Sequence, residues 1–245
     1  PFFATLSGVI INQLKSRGYN VILSDTMENV ENEVEALTSF VSRKVDGIIA
    51  VPVGSSPDYL EEISRSIPVV LIDRCFMNTT LPYVCTDNYS GAYMATEHLI
   101  SKGYRNILAI QGVLTSMPSK ERVRGFLKGV DDHVGLGVTH NVCGNAFSVE
   151  NGYREAKRAL TGESRPDAIF AFSTTILLGA IKAIKELGLN IPEDVAIISF
   201  DNNRFLDYLD PAVTRVEQPV NVVGKLVTDN IIKMVEKDDD IPLSS

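Results

Sequence analysis

The fold is decided by the stretch Ile191-Pro192-Glu193-Asp194-Val195-Ala196-Ile197-Ile198-Ser199-Phe200-Asp201, a turn followed by an apolar run that ends on an acid. Val195 to Phe200 would present apolar or small side chains on both faces of a strand. Such a strand is buried on both sides, which is typical of a parallel sheet covered by helices on its two faces. The stretch therefore predicts an α/β fold, with Asp201 at the sheet edge where open parallel sheets bind ligands.

Short apolar runs alternate with amphipathic segments along the rest of the chain, which is the pattern of βα units. The predicted helices are marked by apolar residues at helical spacing over residues 6–14, 30–41, 92–101, 119–131, 149–160, 175–187 and about 220–236. The predicted strands cover residues 20–24, 47–51, 68–73, 106–110, 168–172 and 195–200. The chain length of 245 residues fits two such parallel sheets.

Composition and charge exclude several classes of protein. Hydrophobic residues make up 44% and charged residues 22% of the chain, as in an ordinary soluble globular protein. No apolar run approaches the roughly 20 residues that a membrane span needs, so we expect no membrane partner. The formal net charge of −8 repels phosphate backbones. We therefore expect that these 245 residues alone do not bind DNA. A cytoplasmic protein is expected from its three cysteines, which are typical of reduced cytosolic thiols.

The cysteines and the missing motifs argue against catalysis. Cys75, Cys85 and Cys143 are odd in number and lack CxxC spacing, so we expect reduced, buried thiols and no metal site. Neither a glycine-rich phosphate loop nor a GxSxG nucleophile motif occurs, so no cofactor and no catalytic residue is assigned. A binding protein is favoured over an enzyme.

Polar and aromatic residues near the ends of strands are candidates for holding a neutral, hydroxyl-rich ligand. The candidates are Phe2, Phe3, Arg122, Phe147, Ser173 and Asp201. Four of them have a structural alternative. Phe2 and Phe3 could form a hydrophobic staple at a helix start. Arg122 could be a solvated arginine on an exposed helix face, and Asp201 could cap a turn.

Six segments in register resemble the effector domain of the lactose/galactose-repressor (LacI/GalR) family of transcription regulators. They are Pro1-Phe2-Phe3, residues 45–49, residues 96–104, residues 191–195, Phe200-Asp201-Asn202, and residues 209–214 with Gln218-Pro219. Their order and spacing match over almost the whole chain, which makes the resemblance more specific than any one segment.

The resemblance implies a periplasmic-binding-protein type I fold, in which two Rossmann-like lobes with parallel sheets are joined by crossing strands and hold the effector in a cleft. The N-terminal lobe would comprise residues 1–102 and 218–245, and the C-terminal lobe residues 103–217. Members of the family also carry a strand before the Pro-Phe-Phe position, another after the position of residue 245, and a DNA-binding headpiece. None of these three elements is expected in this chain.

The resemblance also implies a function. The chain would be the effector-binding and dimerisation domain of a repressor that senses a small molecule, a sugar or sugar derivative, and reaches operator DNA through a headpiece. Two other proteins on the same scaffold remain as alternatives, a periplasmic sugar-binding protein of a transporter and an enzyme.

By similarity, Phe3, Arg122, Phe147 and Asp201 occupy effector-contact positions. The sequence departs from the family where sugar-binding members usually have Asn-Asp and this chain has Ser173-Thr174. The departure removes a charged acceptor for sugar hydroxyls, so we expect an effector that is less hydroxylated, is oriented differently, or is not a plain hexose or pentose.

We predict that the 245-residue chain does not bind operator-like DNA at physiological salt, because its charge is negative and it has no recognition helix. Fluorescence anisotropy with labelled duplexes across a salt series measures this. Sequence-specific, salt-sensitive binding by the chain alone would contradict the prediction.

Overall fold

The computed structural model describes residues 2–76 and 78–236, which form helices and parallel strands in alternation. The helices are α1 (Phe2–Ser16), α2 (Val30–Ser42), α3 (Asp58–Ser64), α4 (Asn88–Ser101), α5 (Met117–Asp131), α6 (Val149–Leu160), α7 (Thr174–Glu186) and α8 (Val220–Glu236). The strands are β1 (Ile48–Ala50), β2 (Val69–Ile72), β3 (Tyr83–Val84), β4 (Asn106–Ile110), β5 (Thr139–Cys143), β6 (Ala168–Ala171), β7 (Ala196–Phe200) and β8 (Thr214–Val216). Among these residues, no helix combines the length and the apolar character needed to cross a membrane.

The chain divides into two compact units. The central unit comprises Phe2 and residues 87–218, and the flanking unit comprises residues 3–86 and the chain after Gln218. The division differs from the predicted boundary at residue 102, because α4 packs closely on α5 in the central unit. A Cβ atom added at Gly125 of α5 would lie 2.1 Å from the carbonyl oxygen of Tyr89 in α4, so only glycine allows this approach.

The central unit is built on a five-stranded sheet with the order β5-β4-β6-β7-β8, in which every pair of neighbours is parallel. All residues of β6 and β7 are buried, as the continuous apolar run of β7 predicts. Phe126 of α5 stands edge-on to Phe170 and Phe172, which fill the layer between that helix and the sheet. The predicted α/β class with parallel sheets is confirmed.

The flanking unit contains a parallel sheet of three strands in the order β1-β2-β3. The predicted strand at residues 20–24 is not formed, because its backbone pairs with no strand among the described residues. Ile22 and Leu23 are instead 52% and 70% exposed. An apolar groove of about 400 Å³ lies between α1, residues 19–23, residues 43–49 and α8.

Two helices of the central unit, α6 and α7, touch through glycines. A Cβ atom at Gly152 of α6 would lie 2.1 Å from the carbonyl oxygen of Ile176, and one at Gly179 of α7 would lie 2.0 Å from that of Val149. Backbone cannot move aside as a flexible side chain can. The two glycines therefore set the separation of the helix pair.

We predict that Gly152→Ala lowers the free energy of unfolding by about 1–3 kcal/mol, because the methyl group forces α6 away from α7. Gly8→Ala is the matched control, because Gly8 also lies within a helix but has open space around the added Cβ atom. It should leave stability unchanged or raise it by up to about 1 kcal/mol through helix propensity. Denaturant titration followed by circular dichroism measures both variants, and equal stability of the two would contradict the packing argument.

Candidate functional site

Polar side chains collect at one edge of the central sheet, where its parallel strands end. Strand β4 has β5, the next strand in the chain, on one side and β6 on the other. The connection after β4 and the connection after β5 therefore run in opposite directions across the sheet, and the topological switch point lies between β4 and β6. Ligands of open parallel sheets bind outside the carboxyl ends of strands at such a point. Arg122, Ser173 and Asp201, all predicted from the sequence, lie in the segments that follow β4, β6 and β7.

Arg122 is buried at this edge, with only 4% of the residue exposed. Its Nε donates to Oδ1 of Asn88 over 2.8 Å, and its Nη1 donates to the carbonyl oxygen of Phe172. The guanidinium carbon lies 3.8 Å from the centroid of the Phe200 ring, a cation–π contact. The alternative of a solvated arginine on an exposed face is therefore wrong.

Asp201 follows β7 directly and has the left-handed backbone conformation, with φ of +77°. Asp and Asn adopt this region more readily than other non-glycine residues. Its Oδ1 accepts a hydrogen bond from Nε2 of Gln218 and lies 3.8 Å from Nη2 of Arg122. The end of β7 thus holds a carboxylate beside a buried guanidinium.

Ser173 and Phe147 are placed next to this pair by helix capping and by a glycine. Ser173 is the N-cap of α7, where its Oγ accepts from the backbone N–H of Ile176 over 3.3 Å. Oγ1 of Thr175 lies 3.0 Å from Oγ of Ser173 and donates to the carbonyl oxygen of Phe147 over 3.1 Å. The ring of Phe147 lies against Gly112, where an added Cβ atom would come within 2.2 Å of it. The ring therefore covers the end of β4.

Phe2 and Phe3 open α1, but only Phe2 belongs to the central unit that holds the other candidates. Phe3 belongs to the flanking unit, is 40% exposed and lines the apolar groove of that unit. A role for Phe2 and Phe3 in effector binding stays a prediction.

Four buried polar atoms near the Arg122–Asp201 pair make no hydrogen bond to any residue that the structure describes. They are Oγ of Ser116, Oγ of Ser119, Oγ1 of Thr174 and Oε1 of Gln218. A buried polar group without a partner costs about 1–3 kcal/mol of stability. Ser116 and Ser119 lie at the start of α5, Thr174 at the start of α7 and Gln218 beyond β8, so all four belong to the same sheet edge. Together they offer a polar ligand several donors and acceptors.

The sequence reasoning did not assign Asn88, Ser116, Ser119, Thr174 or Gln218 to the site. One signal was available, because Thr174 and Gln218 follow predicted or implied strands as Asp201 does. Asn88 and the two serines gave no such signal, since only tertiary packing buries them.

The fold is that of an α/β protein whose polar side chains collect at the carboxyl edge of a parallel sheet, the edge where open sheets of this kind bind ligands. The family profile of the periplasmic binding protein-like domain matches residues 96–244. The chain is 33% identical over 237 residues to a ribose operon repressor of Halalkalibacterium halodurans, covering 97% of this chain and 70% of that protein. It is 30% identical to the HTH-type transcriptional repressor PurR of Edwardsiella ictaluri, covering 96% of this chain and 70% of that repressor.

A solved structure shares the fold as well. The periplasmic binding protein/LacI transcriptional regulator from Alkaliphilus metalliredigens QYMF, complexed with D-xylulofuranose, superposes with a TM-score of 0.85 at 29% identity, covering 99% of this chain and 89% of that one. The chain belongs to the LacI family of transcription regulators and is the effector-binding domain of such a regulator. These relatives do not favour the alternative of a transporter's binding protein.

We predict that Thr174→Val raises the free energy of unfolding of the ligand-free protein by about 1 kcal/mol, because it replaces an unpartnered buried hydroxyl with a methyl group. Thr96→Val is the matched control. Thr96 is also buried in a helix of the central unit, but its Oγ1 donates to the carbonyl oxygen of Ala92 over 2.8 Å. Losing that bond should lower stability by about 0.5–1.5 kcal/mol. Denaturant titration measures both variants, and a fall in stability for both would show that the Thr174 hydroxyl has a partner.

Proposed function

We propose that the central unit binds a small sugar or sugar derivative through Arg122 and Asp201, and that binding controls the operator affinity of the whole regulator. The observation that carries the proposal is the buried Arg122 guanidinium beside Asp201, at the same sheet edge as four buried polar atoms that have no partner among the described residues. The names of two relatives support the ligand class, since one is a ribose operon repressor and another was solved with D-xylulofuranose.

The chemistry of the pair suits vicinal hydroxyl groups. A guanidinium offers only donors in a rigid plane, and a carboxylate offers only acceptors. Because Asn88 and the Phe172 carbonyl already engage two guanidinium nitrogens of Arg122, its Nη2 side is the one that faces Asp201. A hydroxyl pair could accept from Arg122 and donate to Asp201. The ring of Phe147 would cover the apolar face of a sugar.

The neutral Ser173-Thr174 pair reduces the number of charged hydrogen-bond acceptors that the site offers a ligand. The Ser173 hydroxyl is used to cap α7. The hydroxyls of Thr174, Ser116 and Ser119 would then be the neutral groups that contact the ligand. Asp201 would then be the one charged acceptor contributed by the ends of β6 and β7. A sugar derivative with fewer hydroxyl groups, or a sugar bound in a different orientation, fits such a site better than a ligand that needs two carboxylates.

Effector binding would act by shifting a population of conformations, as in any two-state regulator. The domain is proposed to work as a homodimer, since two headpieces are needed to contact two half-sites of an operator. In this scheme the protein is a cytoplasmic regulator rather than an enzyme, and its effector leaves the site unchanged.

We predict that Arg122→Ala and Asp201→Asn each weaken effector binding by about 1.5–3 kcal/mol, or roughly ten- to more than a hundredfold. Each substitution leaves polar ligand atoms unpaired in a buried site. Asn is chosen at position 201 because it tolerates the left-handed backbone while removing the charge. A thermal-shift screen of D-ribose, D-xylulose, sugar phosphates and nucleobases first finds the ligand, and calorimetric titration then measures each affinity.

Arg124→Ala is the control for this experiment. Arg124 lies on the same helix but is exposed and pairs with Glu121 at the surface, so its loss should leave affinity unchanged. Circular dichroism confirms that each variant is folded. Undiminished affinity in folded Arg122→Ala and Asp201→Asn would refute the site, whereas failure of every sugar with binding of a nucleobase would refute only the ligand class.

A further inference from the structure

Two cysteines meet at the carboxyl edge of the flanking sheet, in a part of the molecule that the proposed effector site does not use. Strands β2 and β3 are parallel neighbours that pair Ile72 with Val84. The backbone N–H of Asp73 donates to the carbonyl oxygen of Val84 over 3.0 Å and continues the ladder by one residue. Cys85 follows Val84 directly, and Cys75 follows Asp73 by two residues. The sequence places these cysteines ten positions apart, and the parallel pairing brings them together.

The two thiols form a hydrogen bond with each other. This bond, together with burial and a negative charge on Cys75, raises the pKa of the Cys85 thiol. The raised pKa keeps Cys85 protonated, which makes it the poorer nucleophile of the two sulfurs. Both residues are partly exposed and neither is in a disulfide.

The chain near Cys75 makes hydrogen bonds at Arg74 before it and at Thr79 and Thr80 after it. Asp73 has a left-handed φ of +66°. Arg74 forms two hydrogen bonds of 2.7 Å with the carboxylate of Glu28. Farther along the loop, Glu61 accepts from the hydroxyl of Thr79 over 3.1 Å and from the backbone N–H of Thr80 over 2.9 Å. These bonds hold the chain on either side of the segment that carries Cys75.

We propose that Cys75 and Cys85 form a reversible dithiol–disulfide site that is oxidised by hydroperoxides, with Cys75 as the attacking sulfur and Cys85 as the resolving one. The Cys75 thiolate attacks the distal oxygen of hydrogen peroxide, the O–O bond breaks, and the leaving hydroxide takes up a proton to become water. Cys75 is then a sulfenic acid. The sulfur of Cys85 displaces its hydroxyl group, which leaves as a second water with the Cys85 proton. Two thiols and one peroxide thus give one disulfide and two waters.

The third cysteine provides an internal reference. Cys143 lies at the end of β5 in the central unit, and burial raises the pKa of its thiol to about 12. A thiol with so high a pKa has almost no thiolate at neutral pH and reacts slowly with peroxide. Cys143 should therefore remain reduced under conditions that oxidise the pair.

The experiment treats the folded protein with a modest excess of hydrogen peroxide, removes the excess with catalase and counts thiols in denaturant with Ellman's reagent. Of the three thiols, one should remain, and dithiothreitol should restore all three. Trypsin cuts after Arg74 and Lys102 with no Lys or Arg between them, so both cysteines fall in one peptide. That peptide should lose two hydrogens and should resist alkylation until it is reduced.

Three variants assign the roles of the sulfurs. Cys143→Ser should lose both of its thiols and form the same modified peptide. Cys85→Ser should hold a sulfenic acid on Cys75 that dimedone traps, and Cys75→Ser should keep Cys85 reduced. Three surviving thiols in the wild-type protein, or a disulfide between molecules on a non-reducing gel, would overturn the proposal. The mass of the wild-type peptide decides the question even if a variant fails to fold.

Discussion

The buried positive charge of Arg122 is the constraint on which the central unit depends. A guanidinium removed from water must be surrounded by acceptors, since an unpaired buried charge costs several kcal/mol. Asn88 at the start of α4, the carbonyl of Phe172 after β6 and the ring of Phe200 in β7 meet that demand from three different elements. One side chain therefore fixes the relative positions of two strand ends and two helix starts, and it does so at the edge where a ligand is expected to bind.

At the same edge, other buried polar atoms have no hydrogen-bond partner among the described residues. Ser116, Ser119 and Thr174 bury hydroxyl groups that make no hydrogen bond within the part of the chain that the structure describes. A sequence selected for stability alone would place small apolar residues at these positions. A binding site, as we propose for this edge, would instead keep donors and acceptors fixed, so that the free protein would lose stability and the complex would recover it.

The sequence predicted those features that depend on local pattern. The apolar run of β7 with Asp201 at its end, and the alternation around β4 and β6, have the same positions in the structure within a few residues. The strand predicted at residues 20–24 failed because a strand needs a neighbour that periodicity cannot supply. Edge strand β5 was missed because its first three residues are exposed and polar, and the helix α4 joined the central unit through glycine contacts that no pattern reveals.

The apolar groove of the flanking unit has a consequence for how these 245 residues behave in solution. Within the described ranges, β1 pairs only with β2, so its other backbone edge faces the groove and the exposed side chains of Ile22 and Leu23. An unpaired strand edge beside apolar side chains is a template on which another extended chain can add. Self-association through this edge would be non-specific and would grow with concentration and temperature. Such association would be open-ended, as in early aggregation, and would not form a closed symmetric dimer. Replacing Leu23 with a charged residue is the simplest way to suppress it.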